Sequence, residues 1–229
     1  VAFVILFMAP GNDVRVASEI TTWMPGYKEL SVGNHLFMTI QWMLSSFANE
    51  GKAFFVAIWA AGFILLMKSE KAKVYQILAV VFSVVALLPY AGISFFSEMG
   101  IGYIDIEQRL TELPTWQTMT IQNRIAFFWW IAAVLFTMVL LWKVTGHSVF
   151  ISMVFLGGIA SEAVLYFSPT IYASGARVYY LTDLMYLFII LWMVMRMDSE
   201  KKKNLFIAGA AALGIINFLS QYSIMLLKL

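Results

Sequence analysis

Six long apolar runs, separated by short connections rich in basic residues, set the strongest limit on how this chain can fold. The runs cover 52–67, 74–96, 125–142, 148–167, 181–195 and 205–227. Inside a bilayer no water pairs with exposed amides, so a spanning segment must satisfy its own backbone, which an α-helix does. About 20 apolar residues are enough to reach across. The chain is 62% hydrophobic and 12% charged, where a soluble domain carries roughly 25% charged residues. The pattern predicts an all-α fold: a polytopic transmembrane helix bundle of six full spans, forming a single transmembrane domain over 1–229. The runs at 52 and 181 are short. They either extend into flanking polar residues or thin the bilayer locally. Ahead of them, only eight apolar residues precede Ala9-Pro10. This opening stretch reads as the tail of a truncated seventh helix, and the sequence as the C-terminal part of a longer protein.

The basic residues orient the bundle. The connections 68–73 (KSEKAK), 143–147 (KVTGH) and 196–203 (RMDSEKKK) hold eight of the fifteen Lys and Arg. Alternating helices put all three on one side, and the excess of positive charge makes that side cytoplasmic. A multi-pass protein of the cell membrane follows. The outer side receives 9–51, 97–124 and the loop 168–180 (SPTIYASGARVYY). Trp129, Trp130, Tyr179 and Tyr180 fall at outer helix ends, and Trp142 and Trp192 at inner ends, as interfacial aromatic belts require.

The outer segments have helical patterning of their own. Leu36, Ile40, Met43, Leu44 and Phe47 recur at helical spacing, with Gln41, Ser45 and Asn49 on another face. This predicts an amphipathic helix on the outer surface or dipping into it. Ile106, Leu110 and Leu113 predict a second, shorter surface helix over 104–113. Both have a plainer reading, in which they only pack on the bundle. Ala57 with Ala61, Gly157 with Gly158, and Ala208 with Ala212 are small residues spaced to let helices approach closely.

Composition also excludes. There are no cysteines, so neither a disulfide nor a thiolate metal site forms. His35 and His147 lie in different segments, and no metal site is expected. A net charge of +2 gives no footprint for nucleic acid. The basic connections hold no glycine-rich phosphate loop, so no nucleotide and no other cofactor is expected, and any chemistry faces outward.

Charged groups within apolar runs are costly and usually face a cavity or a partner. Glu162 stands one turn from the outer end of its run, and Asp183 just inside the next. The loop between them carries Arg177. These helices are antiparallel, so both carboxylates reach similar depth near the outer face. One reading makes them candidate catalytic residues, one of them a general base, with Arg177 holding an oxyanion through its planar fork. The other makes Arg177 a staple between two helix ends. In the turn APGNDVR (9–15), Pro10-Gly11 ends a helix and Asn12 or Asp13 caps the next. Arg15, Arg124 and Arg177 all lie near outer helix ends, so three arginines on one face are candidates to meet a lipid-linked phosphate. Arg109, beside Glu107 and Glu112, reads as a solvated helix pair, and His35 as a solvated or capping residue.

The APGN turn followed by Arg15, and the SPTIYASGAR loop ahead of a helix with an acidic start, resemble an uncharacterised family of bacterial multi-pass membrane proteins. That family is similar to glycosyltransferases of the GT-C type. The resemblance implies transfer of a sugar from a polyprenyl-phosphate carrier to a cell-envelope glycan on the outer face. Its partners would be the lipid-linked sugar and the glycan acceptor. Asn12, Arg15 and Arg177 match the motif residues. Such families place an acidic catalytic residue in a first outer loop, which this sequence does not contain, so Glu162 and Asp183 stand either as catalytic or as supporting residues. Two other readings remain open: a transporter or flippase for a lipid-linked or anionic substrate, and a non-enzymatic subunit of an envelope-assembly machine. Against transport, the middles of the runs are almost uniformly apolar.

Overall fold

A computed structural model describes residues 12–23, 27–91, 116, 121–164 and 179–226. Among them are eight α-helices and no strand. They are α1 (Asn12–Trp23), α2 (Val32–Ser46), α3 (Lys52–Leu66), α4 (Lys73–Leu87), α5 (Ile121–Val144), α6 (Val149–Ala163), α7 (Tyr180–Met195) and α8 (Glu200–Leu226). The all-α expectation holds. The second surface helix expected at 104–113, with Arg109, lies outside the described residues, as do the chain start through Gly11 and most of the loop with Arg177.

Two helices are long and apolar enough to cross a membrane. They are Arg124–Val144 within α5, mean hydropathy 2.3, and Glu200–Leu219 within α8, mean hydropathy 1.2. Helices α3, α6 and α7 are apolar but only 15, 15 and 16 residues long, short of the ~20 that cross a hydrocarbon core. By length, the expected six spans are met in two helices. The runs 74–96 and 148–167 continue beyond the described residues.

Side-chain pairs give the helix directions. Trp59 of α3 donates its indole N–H to Thr137 of α5 at 2.7 Å, and Gly62 lies against Leu140 three residues further on. The two helices therefore run parallel. Phe82 of α4 fills the space between them, its ring 5.5 Å from that of Trp59 and 4.9 Å from that of Phe136. Phe55 meets Tyr186 of α7 while Lys68 pairs with Asp198, so α7 also runs with α3. On α6, Gly158 faces Thr182 and Tyr186, and Phe150 faces Phe188, an antiparallel pair. Tyr90, just past α4, hydrogen-bonds Asn217 late in α8, so α4 and α8 run alike. The connections after α3, α5 and α7, the three basic ones, consequently share one end of the bundle.

The core is a run of aromatic rings, with Phe47, Phe55, Trp59, Phe155 and Tyr186 all fully buried. Trp130 belongs to it, 4% exposed and 5.7 Å from the ring of Phe55, and Trp129 packs on Phe82 at 4.6 Å. Both were expected in an outer belt. Position along a helix placed them there, but their faces turn inward. Tyr180, 68% exposed, sits outward as expected. Of the small-residue pairs, Ala57 and Ala61 are buried and Gly158 lies tight against Tyr186. Ala208 and Ala212 are exposed.

Ser31 caps α2, its hydroxyl accepting from the Asn34 N–H at 3.2 Å. The helix does not stop at Ser46. A π-helical turn over Phe47–Gly51 carries it into α3. Phe37 of α2 reaches Phe127 of α5 at 5.7 Å, and Phe55 of α3 reaches Trp130, one turn along the same helix. A straight helix would separate Phe37 and Phe55 by about 27 Å. The axis therefore bends, at the π segment that commonly causes such kinks, and α2 folds over the end of the bundle. Its burial differs from the predicted amphipathic face. Gln41 is buried and Leu36 is 52% exposed. A segment wedged against both α5 and α6 buries more than one stripe. It caps the bundle rather than floating on it.

Candidate functional site

The candidate site lies where α2, α6 and α7 meet, at the end opposite the basic connections. Glu162 is the penultimate residue of α6. One turn earlier, Gly158 stands on the same face. On α7, Thr182 and Tyr186 have the same i, i+4 spacing. These two faces meet. The Thr182 hydroxyl donates to the Gly158 carbonyl at 3.1 Å and lies 2.9 Å from the Ser161 hydroxyl. A Cβ on Gly158 would stand 2.9 Å from Tyr186 Cε1. The missing side chain is what lets the tyrosine ring lie across α6. Phe155 stacks on that ring at 5.5 Å, and Phe55 meets it edge-on at 5.5 Å.

Glu162 is 1% exposed, and Ser46 Oγ lies 2.6 Å from its Oε2. The same hydroxyl lies 2.8 Å from the Met43 carbonyl. A hydroxyl has one proton. Either it donates to an ionised Glu162, or it donates to Met43 and accepts a proton from a neutral Glu162. Either arrangement satisfies the Ser46 hydroxyl. Ser46 stands at the junction with the π segment, a distortion that recurs at functional sites.

Tyr186 completes the cluster. Its ring is 1% exposed, its hydroxyl has no hydrogen-bond partner among the described residues, and it lies within the fields of Glu162 and Asp183. Asp183 occupies the first turn of α7, where the helix dipole favours a negative charge, and it is only partly buried. Thus the two predicted carboxylates do flank one site, with unequal access to solvent. The Gln41 carbonyl oxygen, buried in α2, also lacks a partner among the described residues.

The arginines are less convergent. Arg124 Nη2 donates to the Trp116 carbonyl at 3.0 Å, and the guanidinium lies 5.0 Å from the Trp116 ring centre. Its Nε is buried without a partner among the described residues. No described contact joins it to Glu162 or Asp183. Asn12 and Arg15 begin α1, and Arg177 lies outside the described residues. His35 packs its ring on Tyr27 at 4.5 Å, while Ser31 performs the capping. No group of His, Asp and Glu suited to a metal occurs among the described residues.

Ser46, Tyr186 and Thr182 escape a reading of the sequence alone. The available signal was spacing, since Tyr186 follows Asp183 by three residues and shares a helix face with it. Ser46 had none, because its partner is 116 residues away. No protein-family model, no curated protein and no solved structure matches this chain.

Proposed function

We propose that this chain is a multi-pass membrane bundle whose site transfers a sugar from a polyprenyl-phosphate carrier to an envelope glycan, in the manner of GT-C type glycosyltransferases. For the membrane part, support comes from the outward faces. Leu135, Met153, Leu191 and Ile215, on four different helices, are 54 to 66% exposed. Apolar faces of this extent call for lipid. Six helices then cross, the short ones by local thinning, with connections 68–73, 143–147 and 196–203 on the cytoplasmic side.

For the chemistry, the observation that carries the reading is the buried Glu162–Ser46 pair beside the Tyr186 hydroxyl, which has no partner among the described residues, and the more accessible Asp183. Asp183 is the group a substrate reaches. In the reaction it takes the proton of the acceptor hydroxyl as that oxygen bonds to the anomeric carbon. The bond from that carbon to the phosphate oxygen breaks, and its electron pair leaves with polyprenyl phosphate. Arg15, Arg124 and Arg177 are the proposed partners of that departing charge. Glu162 holds the cluster's polarity through Ser46, and the Tyr186 phenol offers a donor to a sugar hydroxyl.

The test is release of polyprenyl phosphate from a polyprenyl-phosphate sugar by purified protein. Asp183→Asn, Arg15→Ala and Arg177→Ala should each abolish release with expression intact. A donor left intact by folded wild-type protein overturns the reading. Movement of that donor across vesicles without cleavage would assign transport instead.

A further inference from the structure

The basic end of the bundle carries a cleft of about 140 Å³ that sugar transfer does not use. Its apolar wall is Ile64 and Leu65, the last turn of α3. Its rim is Lys68, Arg196, Asp198 and Lys202. Three cations thus surround one carboxylate, leaving two positive charges in excess. Asp198 is already held by Lys68 at 2.5 Å and Lys202 at 3.1 Å. Arg196 is different. Its guanidinium lies over the Trp192 ring, 4.2 Å from the centre, and it pairs with no carboxylate among the described residues. Stacking fixes the plane of the guanidinium and leaves its edge free, the geometry that receives two oxygens of a phosphate.

The cleft is built from two chemistries side by side. An apolar helix end meets a ring of cations, with a tryptophan at the boundary. The same order of groups occurs in a phospholipid at the level where glycerol esters meet the phosphate, and tryptophan favours that depth. Basic pockets between helix ends on the cytoplasmic side suit anionic headgroups.

We propose that this cleft binds a phosphate group presented by an anionic phospholipid, through Arg196 and Lys202, with Asp198 as an internal competitor for the same cations. The proposal rests on the membrane reading and is independent of sugar transfer. Phosphatidylglycerol, phosphatidylcholine and inorganic phosphate are each titrated into the full chain in detergent, and binding is read by native mass spectrometry and by the thermal midpoint. Phosphatidylglycerol should bind and raise the midpoint, with phosphatidylcholine at least roughly tenfold weaker, as expected for loss of a charge-assisted pair. Arg196→Gln should weaken phosphatidylglycerol by a similar factor. Asp198→Asn should strengthen it, a gain that damage to the fold does not produce. Equal binding of the two lipids, or no change in either variant, overturns the proposal. Inorganic phosphate matching phosphatidylglycerol overturns the lipid source and reassigns the cleft to a soluble phosphate. Flotation of the chain with phosphatidylcholine vesicles reports separately on the membrane reading.

Discussion

Each end of this bundle holds a carboxylate in a hydrogen-bonded pair, and the two pairs have little else in common. At one end Glu162 is 1% exposed and its neighbour is the neutral hydroxyl of Ser46. At the other, Asp198 is 48% exposed and held by two lysines. Charge pairing is abundant where water already solvates the groups and is worth little there. At the buried end, where a charge is costly, the described neighbour is a neutral hydroxyl. The difference separates a carboxylate shielded from water from one that water and cations share.

The largest expected effect tests the buried side. Glu162→Ala removes the buried hydrogen bond to Ser46 and opens a hole, costing about 2–4 kcal/mol of stability. Asp198→Ala, at the exposed end, should lower the unfolding midpoint only slightly. A comparable loss in both would erase the distinction between them. Next comes a pair of adjacent glycines. Gly158→Ala forces a methyl into the Tyr186 ring, which Phe55 and Phe155 hold in place, at a cost of about 1–3 kcal/mol. Gly157→Ala meets only the flexible end of Met185 at 3.3 Å and should be tolerated. Similar midpoints for the two would show that Tyr186 is free to move aside. Thr137→Val leaves the Trp59 indole N–H without its acceptor in the core between the two ends, a loss of about 1–2 kcal/mol. It should not alter activity at the Glu162 site.

The smallest effect is a pH dependence at the exposed end. Hydrogen bonds from Lys68 and then Lys202 push the Asp198 carboxyl down to about 2 from its ordinary 3.8. The folded form therefore holds a proton less tightly than the unfolded chain. The pair's contribution is present above about pH 4 and is lost as pH falls toward 2. Acid unfolding curves of the wild type and of Asp198→Asn should be offset slightly above about pH 4 and converge as pH falls toward 2, and added salt should shrink the offset.

Much of the fold was legible because its signals are local. Apolar runs end at charged connections, and the boundaries of α3, α6 and α7 fall within a few residues of those read from composition. The common end of the three basic connections also followed from alternation. Which face each helix buries was less legible. Trp130 and Gln41 were read as outward residues, and both are buried, because α3 packs on Trp130 and α2 lies against α5 and α6. At the site, the placing of Glu162 and Asp183 at one end of the bundle was accessible through antiparallel helices joined by a short loop. Ser46 was not, since a π turn in a distant segment delivers it.

Sequence alone determined that this chain is helical, that its charge is concentrated at helix ends, and that Glu162 and Asp183 fall near the ends of consecutive helices. These are properties of single segments, set by hydrogen bonding within a helix and by the cost of burying charge. The tertiary structure decided the rest. It bent α2 over the bundle, brought Ser46 to Glu162, laid Tyr186 across Gly158 and drew Lys68 to Asp198. Each of these contacts joins segments far apart in the chain, and no local pattern encodes which segments will pack together.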